Sequence, residues 1–412
     1  MPTVRLVILA ITYVLIAVPH VAGLKLTRPA AALIGAVAMV TIGQLPLHDA
    51  YAAIDLDVIV FLVGVLVITA FLEVGGFFEW AAAHIVIRAR SARALLGTVV
   101  AASGLLSAFF VNDTVCLVLT PLVLAVVRPL GLSPLPFLLA VALGSNAGSA
   151  MTPTGNPQNM LIAVASKLSF ARFVAALALP SIGALVIVFV VLAWLFRRDL
   201  PSELRIGIME EETRFDRGLV VRSLIVFAGA LVGWLLGGSL PLVAITAAAV
   251  LLLVAWRDPA PAFERVEWPL LLFFAALFVV MRGARDLPLV ASLTSVAASH
   301  LHGARMHDAV VTSVAMTLLS NVISNVPAVI LWLPVVPHVA SPGFIWTVMA
   351  MSSTFAGNLT LLGSMANLIV AERAATRGVR LSFRNYLVPG VAVTLLTLAW
   401  GIATLMWLGP ST

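Results

Sequence analysis

The sequence predicts an all-α polytopic membrane protein, and three observations support this fold class. Hydrophobic residues make up 62% of the 412 positions and charged residues 10%, whereas soluble domains average about 45–50% and about 25%. The mean hydropathy is +1.12. Apolar runs of the length that a helix needs to cross a bilayer follow one another along almost the whole chain. Helical spans therefore fit this chain better than the alternating strands of an outer-membrane barrel.

Apolar runs and helix breakers divide the chain into two halves, which repeat the same order of elements. The first half, residues 1–200, is predicted to contain spans near 4–22, 29–47 and 57–87, a polar-interrupted region at 94–127, a broken helix at 135–166 and an intact span at 174–196. A charged stretch at 201–218 is the predicted cytoplasmic linker. The second half, residues 219–412, is predicted to contain spans near 219–236, 239–255 and 268–281, an interrupted region at 308–336, a broken helix at 343–371 and an intact span at 387–408. Such a recurrence indicates an internal duplication.

Local matches between the halves support the duplication. The segment "GNPQNMLI" (155–162) aligns with "GSMANLIV" (363–370), so that Thr152 and Gly155 correspond to Thr360 and Gly363. Upstream, Asn112 precedes Pro121 by nine residues, and Asn325 precedes Pro334 by the same nine residues. Several matches in the same order point to one ancestral unit rather than to chance.

The distribution of Lys and Arg predicts the orientation. If each interrupted region is a re-entrant hairpin that returns to its starting side, all 24 Lys and Arg residues share one face except Arg5, Lys167, Arg172, Arg282, Arg285 and Arg305. The richer face is expected to be cytoplasmic, which places both termini outside a bacterial or archaeal cytoplasmic (inner) membrane. Five spans and one hairpin per half force the second copy to enter upside down. The prediction is an inverted-topology repeat with about ten transmembrane helices, two re-entrant helical hairpins and two broken helices.

The two broken helices supply the first set of candidate binding residues. The segments "SNAGSAMTPTGNPQN" (145–159) and "SSTFAGNLTLLGSMAN" (352–367) contain too many Gly, Pro, Ser and Asn residues to form regular helices. Unwound backbone at membrane depth must be satisfied by protein or line a cavity. The candidates are Asn146, Gly148, Thr152, Thr154, Gly155 and Asn156 in the first segment, and Gly357, Asn358, Thr360, Gly363 and Ser364 in the second. The alternative is that these small residues serve only close helix packing.

The hairpin tips supply the second set of candidates. The first tip, "FFVNDTVCLVLTPL" (109–122), carries Asn112, Asp113 and Thr114, whereas the second, "SNVISNVPAVI" (320–330), carries Ser324 and Asn325 but no acid. An ionised Asp at a helix centre costs about 2.5–3.5 kcal/mol, so the protonated acid is favoured there. A Na⁺ ion bound at Asn112 and Asp113 would instead favour the anion. Asp113 is therefore the predicted proton-coupling residue, and neither hairpin segment offers it a Lys or Arg as a structural partner.

These segments resemble those of the ion transporter superfamily. The tip "FFVNDTVCLVLTPL" and the segments "NAGSAMTPTGNPQNMLI", "SNVISNVPAVIL" and "GNLTLLGSMANLIVAE" are most similar to the arsenite/antimonite permease (ArsB-like) branch. NhaD-type sodium/proton antiporters and divalent anion/sodium symporters belong to the same superfamily. The resemblance implies two inverted hairpin and broken-helix units on a scaffold, with substrate between the tips and alternating access. One departure is the second tip, which reads Ser-Asn-Val-Pro where sodium/dicarboxylate symporters have Ser-Asn-Thr.

The predicted function is proton-coupled efflux of arsenite or antimonite, because As(OH)₃ is uncharged at neutral pH and hydroxyl and amide side chains can bind it. The alternatives are a Na⁺/H⁺ antiporter and a permease for inorganic anions or dicarboxylates. A fixed negative charge with no cation nearby suits a dianion poorly. The expected partners are therefore a small inorganic substrate, H⁺ or Na⁺, and the lipid bilayer.

Other classes of function lack their motifs. Neither a His-Glu-x-x-His zinc motif nor a Gly-x-Ser-Gly nucleophile occurs, and no second membrane acid stands out opposite Asp113, so we expect a secondary transporter rather than an enzyme. The single cysteine, Cys116, excludes an internal disulfide and a thiolate metal cage, and we expect no cofactor and no metal site. Without a P-loop, ATP drive would require a separate ATPase subunit. The basic surplus fits cytoplasmic loops rather than nucleic acid. Five histidines near span ends are expected to be interfacial: His84, His300, His302, His307 and His338.

Overall fold

The computed structural model describes residues 2–17, 20–21, 24–86, 91–201 and 215–409. Helices dominate these ranges, and the described strands are two residues each, β1 (His20–Val21) and β2 (Leu24–Lys25), paired antiparallel. The all-α prediction is confirmed. Most of the predicted linker at 201–218 lies outside the described residues.

The described helices of the first half follow the predicted order. They are α1 (Pro2–Ala17), α2 (Arg28–Thr41), α3 (Leu47–Ala52), α4 (Leu56–Val74), α5 (Phe77–Val86), α6 (Ala92–Phe109), α7 (Asn112–Val127), α8 (Leu135–Ser149), a 3-10 turn (Pro153–Gly155), α9 (Pro157–Ser166) and α10 (Phe170–Leu195). Helices α6 and α7 form the first hairpin, and α8 with α9 forms the first broken helix.

The second half repeats this order. Its helices are α11 (Arg217–Leu235), α12 (Leu240–Val254), α13 (Ala260–Arg265), α14 (Trp268–Ala284), α15 (Pro288–Ser299), α16 (Arg305–Ile323), α17 (Asn325–Trp332), a 3-10 turn (Val336–His338), α18 (Pro342–Ala356), α19 (Met365–Thr376) and α20 (Phe383–Leu408). Helices α16 and α17 form the second hairpin, and α18 with α19 forms the second broken helix.

Six of the described helices are long and apolar enough to cross a membrane, judged by length and composition: α4, α6, α10, α11, α16 and α20. Shorter apolar helices, among them α1, α2, α7, α8, α12 and α14, accompany them. The long helix α10 exposes one stripe of large apolar side chains, Ile182, Val186, Val190 and Trp194. Their spacing of four residues places them on one face, as expected for a helix at the lipid boundary. By contrast, every residue from Pro136 to Ser149 in α8 is buried, so α8 lies at the centre of the bundle.

The contacts between helices recur when each helix is replaced by its counterpart in the other half. Helix α2 packs on α14 as α12 packs on α4, and α6 packs on α8 as α16 packs on α18. The return leg of each hairpin contacts the broken helix of the other half, because α7 packs on α19 and α17 packs on α9. Exchanged contacts of this kind relate the halves by an approximate two-fold axis, as an inverted repeat requires.

The structure adds the short helices α3 and α13 between predicted spans, and it differs from the sequence prediction more substantially at two other places. The predicted span at 57–87 is two helices, because Gly76 adopts a positive φ of 77° and ends α4. Only glycine adopts this conformation without strain. In the second half, the short helix α15 follows α14, whereas the sequence reading assigned no helix between 281 and 308. Pro288 at the first position of α15 marks its start.

Candidate functional site

The two hairpin tips meet at a cavity of about 310 Å³. Asn112 and Asp113 begin α7 on one side, and Ser324 and Asn325 stand at the start of α17 on the other. The N-terminal residues of α9, α19, α2 and α14 complete the lining. Six helix N-termini therefore border one cavity. Free backbone N–H groups and helix dipoles at such ends favour oxygen atoms and negative charge.

Asp113 lies in the first turn of α7 and is 7% exposed. Among the described residues, the structure records no hydrogen bond to its carboxylate. Its charged neighbours are Arg28 and Glu267, which line the same cavity and interact with it electrostatically. An acid held by charges rather than by fixed hydrogen bonds is free to accept a proton or a cation.

The expectation that no cation lies near Asp113 is wrong. Arg28, the first residue of α2, lines the cavity, and its Nη1 donates to Ser324 Oγ at 3.1 Å. The expectation that no second acid faces Asp113 is also wrong, because Glu267 precedes α14 at the same cavity. Arg28 is the first residue of α2 and Glu267 caps α14, and both apolar helices carry Pro in their first turn, at Pro29 and Pro269. A charge one or two residues before such a proline is the sequence signal that could have identified them.

Asn146 in the buried helix α8 connects the two halves beneath the cavity. Its Nδ2 donates to Asn358 Oδ1 at 2.9 Å and to Asn367 Oδ1 at 3.0 Å. Its Oδ1 accepts from Asn112 Nδ2 at 3.0 Å and from Ser364 Oγ at 3.1 Å. The Asn146 side chain thus joins the first hairpin tip to the second broken helix. Both ends of its amide are hydrogen-bonded, so it holds the tip in a fixed position.

The breaks in the two helices are stabilised by equivalent asparagines. Asn159 Nδ2 donates to the carbonyls of Ser149 and Thr152, each at 3.1 Å. Asn367 Nδ2 donates to the carbonyls of Gly357 and Thr360 at 2.7 and 3.1 Å. In both halves the acceptors lie ten and seven residues before the asparagine. These bonds satisfy carbonyls that the unwound backbone leaves without helical partners.

The second tip makes the corresponding contacts less symmetrically. Asn325, with its amide oriented to suit its neighbours, donates to the carbonyls of Ser353 and Gly363 at 3.2 and 3.1 Å and accepts from Gln158 Nε2 at 3.3 Å. Thr354 occupies the position that corresponds to Asn146 and donates to Asn159 Oδ1 at 3.4 Å. A threonine has one hydroxyl where the first half has an amide. The two sides of the cavity are therefore chemically different.

Several predicted site residues lie behind the cavity rather than on its wall. Thr152 hydrogen-bonds Ala108 O and lies 3.0 Å from the Thr154 hydroxyl, while Thr360 donates to Asn321 Oδ1 at 2.9 Å. Asn156 begins α9 and accepts from the backbone N–H of Asn159 at 2.9 Å. Thr114 is buried, and Asn358 donates to Leu143 O at 3.3 Å. The predicted residues that line the cavity are Asn112, Asp113, Ser324, Asn325 and Ser364.

The predicted glycines permit close approach of backbones. A Cβ on Gly148 would lie 2.1 Å from Gly104 O, so α6 and α8 can cross there only with glycine. A Cβ on Gly155 would lie 2.2 Å from Ser149 O, and one on Gly363 would lie 2.6 Å from Asn321 Oδ1. Gly357 packs against Asn325 and Ser364 with less severe crowding. These four glycines allow the backbones at the breaks to pack closely.

Ser324 carries backbone strain at the second tip. Its φ of 76° and ψ of 161° fall in a region that essentially only glycine adopts. Across the cavity, Asn112 Oδ1 is buried without a hydrogen-bond partner in the described structure. Strained backbone and an unsatisfied buried oxygen are both typical of functional sites.

Two further cavities lie beyond this one. A cavity of about 390 Å³ runs beside α7 and is lined by Glu73 and by Arg265, whose Nη1 lies 3.0 Å from Glu73 Oε1. A larger cavity of about 1210 Å³ lies at the opposite end of α14, where Arg282 pairs with Asp49 at 2.9 Å.

The fold and the cavity define a secondary transporter built from an inverted repeat. A family model described as "Citrate transporter" (CitMHS) matches residues 8–356. The chain belongs to this family, and the resemblance to the ion transporter superfamily is confirmed. The expectation of a transporter rather than an enzyme is likewise confirmed.

Relatives cover nearly the whole chain. The silicon efflux transporter LSI3 of Oryza sativa subsp. japonica is 33% identical over 93% of both chains. The 46 kDa membrane protein of Mycobacterium leprae is 29% identical over 95% of this chain and 96% of its own. The putative transporter arsB of Dictyostelium discoideum is 24% identical over 94% and 88%. The solved structure of the Alcanivorax borkumensis YdaH transporter, which has an unusual topology, shares the fold with a TM-score of 0.60 at 16% identity, covering 99% and 97%.

Proposed function

We propose that this protein is a proton-coupled transporter that exports small uncharged oxyacids, with arsenite and antimonite as its leading substrates. The observation that carries this proposal is the Asp113 carboxylate, which accepts no hydrogen bond from the described residues and lies in a cavity bordered by amide and hydroxyl groups. As(OH)₃ presents three hydroxyls that donate and accept hydrogen bonds. Asn112, Ser324, Asn325 and Ser364 supply matching groups, and Asp113 supplies the exchangeable proton.

The charges in the cavity favour an uncharged substrate over a polyanion. Asp113 and Glu267 contribute two carboxylates, and Arg28 contributes one positive charge. Two like charges about 4 Å apart repel by about 4 kcal/mol at an effective dielectric constant of 20. A tricarboxylate would meet this repulsion several times unless both acids were protonated first, whereas a neutral oxyacid would not meet it.

The relatives support the same substrate class. The rice relative is called a silicon efflux transporter, and silicic acid, like arsenous acid, is an uncharged hydroxylated weak acid at neutral pH. We therefore treat metalloid hydroxides as the class and arsenite as the first member to test. We place the chain in a bacterial or archaeal cytoplasmic membrane with both termini outside, and a separate ATPase subunit is not required by the mechanism.

Two other functions have specific support. The family description and the six helix N-termini around Arg28 favour an anion permease, in which protonation of Asp113 and Glu267 would make the cavity positive. The unpartnered Asn112 Oδ1 beside Asp113 favours a Na⁺/H⁺ antiporter, because both residues offer oxygen ligands. Each predicts a different cargo under the same proton gradient.

The deciding experiment is flux into proteoliposomes under an imposed pH difference. Arsenite, silicic acid, Na⁺ and citrate are tested separately, with Asp113→Asn as the coupling variant and Asp258→Asn, an exposed acid, as its matched control. We expect arsenite or silicic acid to be concentrated by the pH difference. We expect Asp113→Asn to lower that flux at least about 100-fold, which is the lower end of the general range for loss of an acid-base group.

Three outcomes would contradict the proposal. Pumping that survives Asp113→Asn with unchanged pH dependence would remove the role of this acid. Proton-driven movement of Na⁺ alone would establish the antiporter, and movement of citrate alone would establish the anion permease. The control must retain the parent's flux, since Asp258 lies in an exposed loop outside the cavity.

A further inference from the structure

We propose that His302, His307 and Asp308 form a binding site for a divalent transition-metal ion such as Zn²⁺. His302 lies in the loop between α15 and α16, and the other two residues lie in the first turn of α16. The ligand atoms of the three side chains all lie within 4.8 Å of one another. Two imidazoles and one carboxylate are a ligand set typical of zinc sites that keep a fourth position for water.

The spacing of the ligand atoms fits tetrahedral coordination. His307 Nδ1 lies 3.3 Å from Asp308 Oδ1, and His302 Nδ1 lies 3.7 Å from the same oxygen. Metal bonds of about 2.0–2.2 Å at tetrahedral angles place ligand atoms roughly 3.3–3.5 Å apart. The imidazole nitrogens lie within 4.8 Å of each other, so a shift of up to about 1 Å in each of the two exposed imidazoles brings all three atoms to tetrahedral spacing around one ion.

The carboxylate is held in place by its other oxygen. The backbone N–H of Gly303 donates to Asp308 Oδ2 at 2.9 Å, which leaves Oδ1 facing the imidazoles. Gly303 has a φ of 95°, so glycine is required for the loop to make this turn. Such a bond to the non-ligating oxygen is the usual support that orients a metal ligand.

The negative charge of the buried Asp308 carboxylate also favours the binding of a cation. Asp308 is 2% exposed, while the side chains of His302 and His307 are 61% and 45% exposed. Neighbouring Arg305 does not compensate this charge, because its guanidinium lies 4.4 Å above the Phe344 ring and donates to Leu405 O. Within the described structure, the ion-pair partners of Asp308 are the two histidines alone. A metal ion compensates the buried carboxylate, and the exposed imidazoles leave it a route of entry.

The alternative is a purely structural role, in which Asp308 stabilises the N-terminus of α16 and hydrogen-bonds the two histidines. The proposed ion would instead join the loop to the outer leg of the second hairpin. Asp308 and Ser324 are separated by sixteen residues of helix, or roughly 24 Å along the helix axis. The metal site is therefore distinct from the transport cavity and independent of the transported substrate.

The test uses the full-length, untagged protein in detergent after removal of metals with a chelator. Co²⁺ is titrated and followed by its visible absorption, and Zn²⁺ is titrated and followed by competition with Co²⁺ and by thermal unfolding. The variants are His302→Ala and His307→Ala, with His338→Ala as the control outside the cluster. We expect one ion per chain, a tetrahedral Co²⁺ spectrum and a higher unfolding temperature with Zn²⁺.

Each histidine variant should weaken binding at least about tenfold, since loss of even an outer-shell partner costs about 10–100-fold, and the control should bind as the parent does. Absence of stoichiometric Co²⁺ or Zn²⁺ binding would overturn the proposal. So would binding that survives both histidine substitutions, or an equal loss in His338→Ala. Both altered side chains are substantially exposed, so misfolding is not expected to obscure the result.

Discussion

Replacement of Asn146 by alanine tests whether the buried amides hold the two halves together. Asn146 is 1% exposed and takes part in hydrogen bonds with Asn112, Asn358, Asn367 and Ser364 at 2.9 to 3.1 Å. At the membrane average of about 0.6 kcal/mol per bond, losing the four costs about 2.4 kcal/mol. Stranding the buried donors of Asn112 and Ser364 raises this, at about 1–3 kcal/mol each. We expect the free energy of unfolding to fall by about 4–8 kcal/mol.

The measurement is reversible unfolding in mixed micelles, with SDS as the denaturant and circular dichroism as the signal. Asn385→Ala is the matched control, because Asn385 is exposed near the start of α20 and its side chain makes no recorded hydrogen bond in the described structure. The reasoning is refuted if Asn146→Ala lowers stability by less than about 0.5 kcal/mol, the ordinary range for surface substitutions, or by no more than the control does.

Substitutions at three further positions test separate features. Gly148→Ala should lower stability by about 1–3 kcal/mol, because its Cβ would meet Gly104 O; a neutral result in thermal unfolding would contradict the tight crossing. Ser324→Gly should be about 1–3 kcal/mol more stable than Ser324→Ala, since both lose the bond from Arg28 and only glycine relieves the strain; equal stabilities would disprove strain. The pKa of Asp216 is lowered, first by the backbone N–H of Leu219 and then by an exposed arginine. Its stabilisation is therefore present above the unfolded-state pKa of about 3.9 and lost as the pH falls through the lower folded-state pKa. The stability difference between the parent and Asp216→Asn should accordingly shrink on acidification, and a difference that persists at the lowest pH would contradict this.

The repeat could be predicted because its signals are local. Asn159 and Asn367 occupy equivalent places after a run of helix breakers, and the structure shows both binding carbonyls ten and seven residues upstream. The break at Gly76 was missed because the segments on both sides of Glu73, Gly76 and Glu79 are apolar, and hydropathy alone does not distinguish one long helix from two. Helix α15 was missed because its Ser and Thr residues weaken the apolar signal.

The site was partly visible in the sequence. Asp113 and Asn112 stand out because polar side chains interrupt an apolar segment. Arg28 and Glu267 do not, because a charge before an apolar run normally marks the end of a span at the membrane surface. Only the three-dimensional arrangement, in which the N-termini of α2 and α14 reach the hairpin tips, brings these charges to Asp113. The roles of the sixteen predicted site residues in binding substrate stay a prediction.

The bond from Arg28 to Ser324 joins parts of the chain that belong to different packing units. Arg28 and Glu267 stand on α2 and α14, which pack on each other, whereas Asp113 and Ser324 stand on the hairpins. Any sliding of the hairpins past the α2 and α14 pair would break this bond and change the distances from Asp113 to its counter-charges, Arg28 and Glu267. The proton affinity of Asp113 and the position of the hairpins would then be thermodynamically coupled. By thermodynamic reciprocity, if Asp113 binds a proton more tightly in one hairpin position, protonation of Asp113 must favour that position by the same free energy.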